Sequence, residues 1–417
     1  MQTSRFAGLV VALAMTAGIA VGQAQAADTI KIGFIDPLSG PFAAVGQSGL
    51  KQFTFAADEL VNKKGGVLGG TMLEVTGYDN QVSAKEALIQ LKKAIGDGVK
   101  VIVQGNSSGV ANALTDAVEK HNTRNPDQRI LYLNYSAVDP ALTNEKCNFW
   151  HFRFDANADM KMEALTDDIK ARADIDKVYV IGQDYSFGKA VAAAAVDMLG
   201  KKRPDLEIVG NELHPIGKVK DFTPYVTKIK ASGAKAVITG NWGADMVNLA
   251  KAANDIGLDV PFYTYYAAGN GITATLGAAG KGRIMLVTEG AANPAHTDAF
   301  RAYTTAYEAK YENENITQFR IINTVQMLAR AIDKAGNTNV DDIARALEGM
   351  EFTTIAGDRV IMRASDHQLA MPIRIFVHTD ENVEFDMDNS GFGLVEERAV
   401  PVSAVELPTT CKMKRPS

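Results

Sequence analysis

Cysteine is nearly absent: the 417 residues contain two, Cys147 and Cys411. That excludes a disulfide-dense scaffold and any Cys-x-x-Cys or Cys/His zinc pattern. One pairing is left, which export to an oxidising compartment favours and which would tie the chain's end to its middle; the alternative is two separate buried thiols. A basic surplus is also lacking. Forty-three Lys and Arg stand against 49 Asp and Glu, a net charge of −6. A phosphate-backbone partner needs a basic face, so no nucleic-acid partner is expected. Beyond residue 26 no apolar run approaches the roughly 18 residues of a membrane span. No Pro- or Ser-rich linker and no tandem repeat of solenoid length interrupts the chain.

Catalytic motifs are thin. "KIGFIDPLSGPFAAVGQSGLK" (31–51) turns from an apolar strand into a helix through Ser39, Gly40 and Pro41. A phosphate loop needs GxxxxGK[ST]; Gly40 to Gly46 has the wrong spacing and Gln47 stands where the lysine belongs. Ser48 and Lys51 match SxxK, but the companion SDN and KTG motifs are missing. None of the six histidines forms HExxH. Asp366-His367-Gln368 lies among short late strands and reads as a turn. No enzyme activity, cofactor or metal is expected. An exported hydrolase, which needs a nucleophile–base pair or a metal cluster, is the enzyme alternative.

What is present begins with a leader. Arg5, the apolar run Leu9–Val21 and Ala24-Gln25-Ala26 describe a secretory signal peptide, residues 1–26. With no cysteine at the cleavage site to carry a lipid, the product is expected to be soluble and periplasmic. Two successive βαβα blocks follow. The first has strand-like runs at 30–35, 72–78, 99–104 and 129–135; the second has them at 178–181, 207–213, 236–239 and 262–265. Compact apolar strands alternating with amphipathic helices predict an α/β protein with parallel sheets in two Rossmann-like lobes. A further strand at 283–288, helical runs at 297–311, 318–335 and 340–347, and β-like pieces at 359–362, 373–378 and 383–385 complete the pattern. The expected division is 27–150 plus about 275–358 for one lobe and 151–274 plus about 359–417 for the other.

In open parallel α/β sheets, ligands bind outside the carboxyl ends of the strands. In the first block those ends carry Ser107, Ser108, Ser136, Ala137 and Val138. Small hydroxyl residues next to helix-start N–H groups suit a carboxylate. In the second block they carry Tyr185, Phe187, Trp242 and Tyr266, which suit an apolar body. Phe42 and Val45, in the first strand-to-helix turn, stand at the cleft mouth.

In order along the chain, "IKIGFIDPLSGPFAAVGQSG" (30–49), "VNKKGGVLGG" (61–70), "NSSG" (106–109), "DPALT" (139–143), "FRFDAN" (152–157), "DYSFGKA" (184–190), "KDFTPYVTKIKASGAKAV" (220–237) and "AANDIGLDVPFY" (252–263) resemble the type I periplasmic binding proteins of ABC importers, in the branch named for branched-chain amino acids. The resemblance implies two lobes joined by a three-segment hinge. It also implies closure over a small-molecule carboxylate, delivery to permease subunits in the inner membrane, and a monomer. It assigns the ligand carboxylate to Ser108, with Ser107 beside it, and to the turn at Ser136. The chain departs from the family's amino-acid binders at several points. Val138 replaces a threonine, Phe187 and Trp242 replace hydroxyl-bearing aromatics, and Val45 replaces an aromatic. Tyr266 falls near the acidic residue that pairs an α-ammonium. A buried ammonium without a counter-charge costs several kcal/mol. The expected ligand is therefore a hydrophobic or aromatic carboxylate. The alternatives are a branched-chain amino acid, or presentation of ligand to a signalling receptor.

Overall fold

The computed structural model describes Met1 and residues 29–416; past Met1, the expected leader lies outside the described residues. The first lobe is laid down by β1 (Thr29–Asp36), α1 (Ala43–Leu60), β2 (Met72–Asp79), α2 (Ala84–Gly96), β3 (Val101–Gln104), α3 (Ser108–Arg124), β4 (Leu131–Asn134) and β5 (His151–Arg153). Its sheet is parallel throughout, in the order β2-β1-β3-β4-β5. Every residue of β3 and β4 is buried, as helices on both faces require. Polar caps set helix starts: the Ser83 hydroxyl accepts the Glu86 N–H at the head of α2.

The second lobe follows with α4 (Ala158–Ala171), β6 (Lys177–Gln183), α5 (Ser186–Lys202), β7 (Glu207–His214), α6 (Thr223–Ala231), β8 (Ala236–Thr239), α7 (Ala244–Ile256), β9 (Phe262–Thr264), α8 (Ile272–Leu276) and β10 (Ile284–Thr288). The chain then returns to the first lobe. There α9 (Asp298–Lys310), α10 (Arg320–Ala335) and α11 (Val340–Leu347) join its core, followed by a small antiparallel sheet of β11 (Glu351–Thr353), β12 (Arg359–Met362) and β13 (Leu369–Ala370). Last come β14 (Ile373–Thr379), β15 (Gly393–Val400) and α12 (Val402–Val405). The second sheet runs β15-β14-β10-β9-β8-β6-β7, antiparallel only where β14 and β15 are involved.

Lobe membership differs from the sequence expectation in four places. β10, expected in the first lobe, pairs with β9 and β14 in the second sheet. β5, expected in the second lobe, is the edge strand beside β4. Residues 359–370, assigned to the second lobe, pack Val360, Met362 and Leu369 into the first core. The tail also returns to the first lobe: Cys411 is bonded to Cys147 with Cα atoms 5.7 Å apart, and Thr409 donates to the Thr143 carbonyl. The chain thus passes between lobes after β5, β10 and β13, and again in the tail. A periodic pattern identifies a strand, but which ladder the strand joins is fixed by partners far away in sequence. The expected β-like piece 383–385 is a bend, because the Asn293 side chain accepts the N–H groups of Glu384 and Phe385, both at 2.9 Å.

Candidate functional site

The carboxyl ends of the two parallel sheets face each other across a cleft of about 660 Å³. Nine of the ten residues singled out in the sequence line it: Ser107, Ser108, Ser136, Ala137, Val138, Tyr185, Phe187, Trp242 and Tyr266. On the first lobe, α3 starts at Ser108, so its free N–H groups open at the cleft. Ser107, just before it, has φ 80°, a left-handed conformation that costs a non-glycine residue about 1–3 kcal/mol. Asp36, fully buried at the end of β1, holds this loop in place. It accepts the Asn106 N–H at 2.9 Å and the Tyr135 hydroxyl. Burial without a facing cation pushes its pKa up to about 7, and those hydrogen bonds only partly oppose the rise.

The opposite wall is aromatic. Phe187 packs against Tyr265 and Tyr266 with ring centroids 5.6 and 5.9 Å apart. The Trp242 indole N–H donates to the Tyr185 hydroxyl at 2.9 Å. Burial raises the pKa of Tyr185 and Tyr266, so both are neutral phenols.

Phe42 is the exception. It does not line the cleft but crosses to the second lobe and packs on Trp242, centroids 4.3 Å apart. Its socket is made by two glycines at positive φ. A Cβ on Gly243 (φ 57°) would lie 2.6 Å from the Phe42 ring, and one on Gly217 (φ 66°) 2.9 Å from it. The ring is thus a clasp between lobes, and Val45, one turn into α1, takes the place expected of it at the cleft.

Arg320 went unnoticed in the sequence and is the one charged residue that lines the cleft among the described residues. Its guanidinium donates to the Ser136 hydroxyl at 2.8 Å and faces Glu289 at 3.2 Å and Asp155 at 3.4 Å. Lys161 meets the other oxygen of Asp155 at 2.7 Å. All four charged side chains are 4% exposed or less. Burial works against the Arg320 charge, yet Glu289 and Asp155 outweigh it and hold its pKa above the usual value. Burial likewise works against Glu289, and Arg320 and Lys161 outweigh it and keep it ionised. Each nearby carboxylate therefore already faces a cation, and of these four charged groups Arg320 is the one that lines the cleft. The sequence held one signal: Arg320 falls on the apolar face of the strongly amphipathic α10, in line with Thr324, Leu328 and Ala331. Thr317 and Gln318, just before α10, were missed as well: Thr317 precedes any periodic pattern, and Gln318 was read as the first residue of a helix that in the structure starts at Arg320.

Other candidate chemistry dissolves into structure. Ser48 accepts from Gln52, and Lys51 pairs with Glu314. His367 stacks on Phe152 at 3.8 Å and meets Glu348 at 2.8 Å. Gly105-Asn106-Ser107-Ser108-Gly109 has the G-x-S-x-G spacing of a hydrolase elbow, with Ser107 at the strand-to-helix turn. No histidine, aspartate or glutamate among the described residues lines the cleft to act as its base. Among the described residues no group of three or more His, Cys, Asp and Glu could hold a metal ion, and no helix is long and apolar enough to cross a membrane.

The pattern of the periplasmic binding proteins matches residues 29–382. The chain belongs to this family. A protein of Brucella abortus named Leu/Ile/Val-binding protein homolog 4 is 32% identical over 423 residues, covering 98% of each chain. A leucine-, isoleucine-, valine-, threonine- and alanine-binding protein of Brucella ovis, solved in a closed conformation, is 31% identical with a TM-score of 0.81, covering 94% of this chain and all of that one. A solute-binding protein of an R. palustris ABC transporter, solved with 4-hydroxybenzoate, shares the fold at 19% identity and a TM-score of 0.75, covering 90% of this chain and 97% of that one. These family members and fold neighbours are binding proteins, not enzymes.

Proposed function

We propose that this protein is the periplasmic binding component of an ABC importer. It closes over a small hydrophobic or aromatic carboxylate and delivers it, as a soluble monomer, to permease subunits in the inner membrane. The observation that carries the ligand class is the charge of the cleft: among the described residues Arg320 lines it, and no carboxylate does. The Ser107 and Ser108 hydroxyls and the head of α3 add donors for an anion. Tyr185, Phe187, Trp242 and Tyr266 offer flat faces to a ring. An α-ammonium would have to share Asp155 or Glu289 with cations already there.

A second reading, branched-chain amino acid uptake, is favoured by the name of the relative at 32% identity. A thermal-shift and calorimetry panel on the mature protein separates the two. Benzoate, 4-hydroxybenzoate and phenylpropanoates should stabilise it, by about 2.7 kcal/mol at a hundredfold excess over Kd. Strong stabilisation by leucine, isoleucine or valine with no response to the aromatic acids reverses the assignment. Uptake of the identified ligand after deletion of candidate permease genes tests delivery, and unaltered uptake points to a receptor as the partner.

A further inference from the structure

Gln318 lines the cleft and is 3% exposed. Its backbone is fixed from behind: the buried Gln52 side chain accepts the N–H groups of Thr317 and Gln318 at 3.2 and 3.0 Å. Its side-chain nitrogen points towards α1, where the Val45 carbonyl lies at 3.5 Å. Gly49 leaves room for that nitrogen, since a Cβ there would sit 3.3 Å from it. A carbonyl can only accept, so the Val45 oxygen fixes which end of the amide faces α1. The Gln318 amide oxygen is left on the other end, buried and, among the described residues, without a hydrogen-bond partner. An unpaired acceptor in a rigid frame beside a ligand cleft can be satisfied by a donor supplied from outside the chain.

We propose that Gln318 is a specificity-determining residue whose amide oxygen accepts a hydrogen bond from a hydroxyl group on the bound carboxylate. The inference rests on the carboxylate reading above and narrows it to hydroxylated acids. A neutral amide oxygen satisfies a neutral donor. It does not balance an ammonium, whose charge would still face the occupied pairs of Asp155 and Glu289. A site built around a buried acceptor discriminates against the analogue that lacks the donor, because the acceptor is then desolvated for nothing.

Calorimetry with benzoate, 3-hydroxybenzoate and 4-hydroxybenzoate on the mature wild-type protein, Gln318→Met and Gln318→Leu tests this. At least one hydroxybenzoate should bind the wild type about tenfold tighter than benzoate. The variants should bring that preference below about threefold. A preference that survives both variants, or a wild type that does not discriminate, overturns the proposal. L-Leucine against 4-methylpentanoate, its counterpart without the amine, forms the second arm. If only leucine binds, the reading of a hydrophobic or aromatic acid without an amine fails, and if Gln318→Met also abolishes that preference the donor is an ammonium and the hydroxyl assignment falls. If none of the five compounds binds, melting of the ligand-free proteins decides. Removing an unpaired buried acceptor raises the Tm; an unchanged or lower Tm makes the amide a structural group and overturns the proposal.

Discussion

The two walls of the cleft solve different problems. The first-lobe wall is polar and made of exact positions: a strained serine, a helix start, a guanidinium locked between two carboxylates. The second-lobe wall is made of bulk: rings packed at steep angles, whose polar atoms meet a neighbouring ring, the backbone or, for Tyr266, Asp155 and the Ser136 carbonyl. Polar recognition depends on fixed geometry and therefore needs a buried frame behind it. Apolar recognition depends on area and tolerates shape-preserving change.

The largest expected effect comes from breaking the polar wall at its centre. Arg320→Met leaves Glu289 buried with Lys161 as its remaining cation, and Asp155 with one cation in place of two. Stability should fall by about 3–5 kcal/mol, the usual result of removing one member of a buried ion pair. Binding of carboxylates should be lost at ligand concentrations that saturate the wild type. Urea unfolding with titration of the surviving folded protein reads both, and a variant that binds normally removes Arg320 from the polar wall.

Next is the frame behind that wall. Asp36 keeps its proton up to about pH 7 in the folded state, against 3.8 for an ordinary aspartate. Between those values the folded chain binds more protons at this group than the unfolded chain. Its contribution to stability therefore falls as pH rises through that window, by on the order of 4 kcal/mol. Asp36→Asn should flatten this part of the stability–pH curve, and denaturant midpoints from pH 4.5 to 7.5 check it. A variant curve parallel to the wild type would mean that Asp36 is ionised throughout.

The smallest effect sharpens the other side. Phe42→Ala removes the ring clasped between Gly217, Gly243 and Trp242. An aromatic pair contributes about 0.5–1.5 kcal/mol beyond its area, and this one spans the lobes, so the loss falls on the closed state. Ligand affinity should drop about tenfold, with the lobes further apart in solution scattering of the liganded protein. Unchanged affinity would make the ring a core residue of the second lobe and no part of closure.

How far the site was legible follows the same division. Ser107, Ser108, Ser136 and the four aromatics sit at strand ends, and a strand end is visible as the point where an apolar run stops. Phe42 occupies such a place as well, but its direction is set by two glycines of the other lobe. Arg320 follows no strand at all. It enters the cleft from a helix that returns after 130 intervening residues of the second lobe, and only the packing of α10 on α1 brings it there.

The sequence by itself determined the α/β rhythm, the parallel sheets and the strand-end residues, because periodicity and turn chemistry act over a few neighbours. The folded chain settled that β10 belongs to the second sheet, that the tail returns to Cys147, that Phe42 clasps rather than contacts, and that the paired guanidinium of Arg320 reaches the cleft. Ladder choice, side-chain direction and charge pairing are all settled by atoms distant in the chain, and no local pattern encodes them.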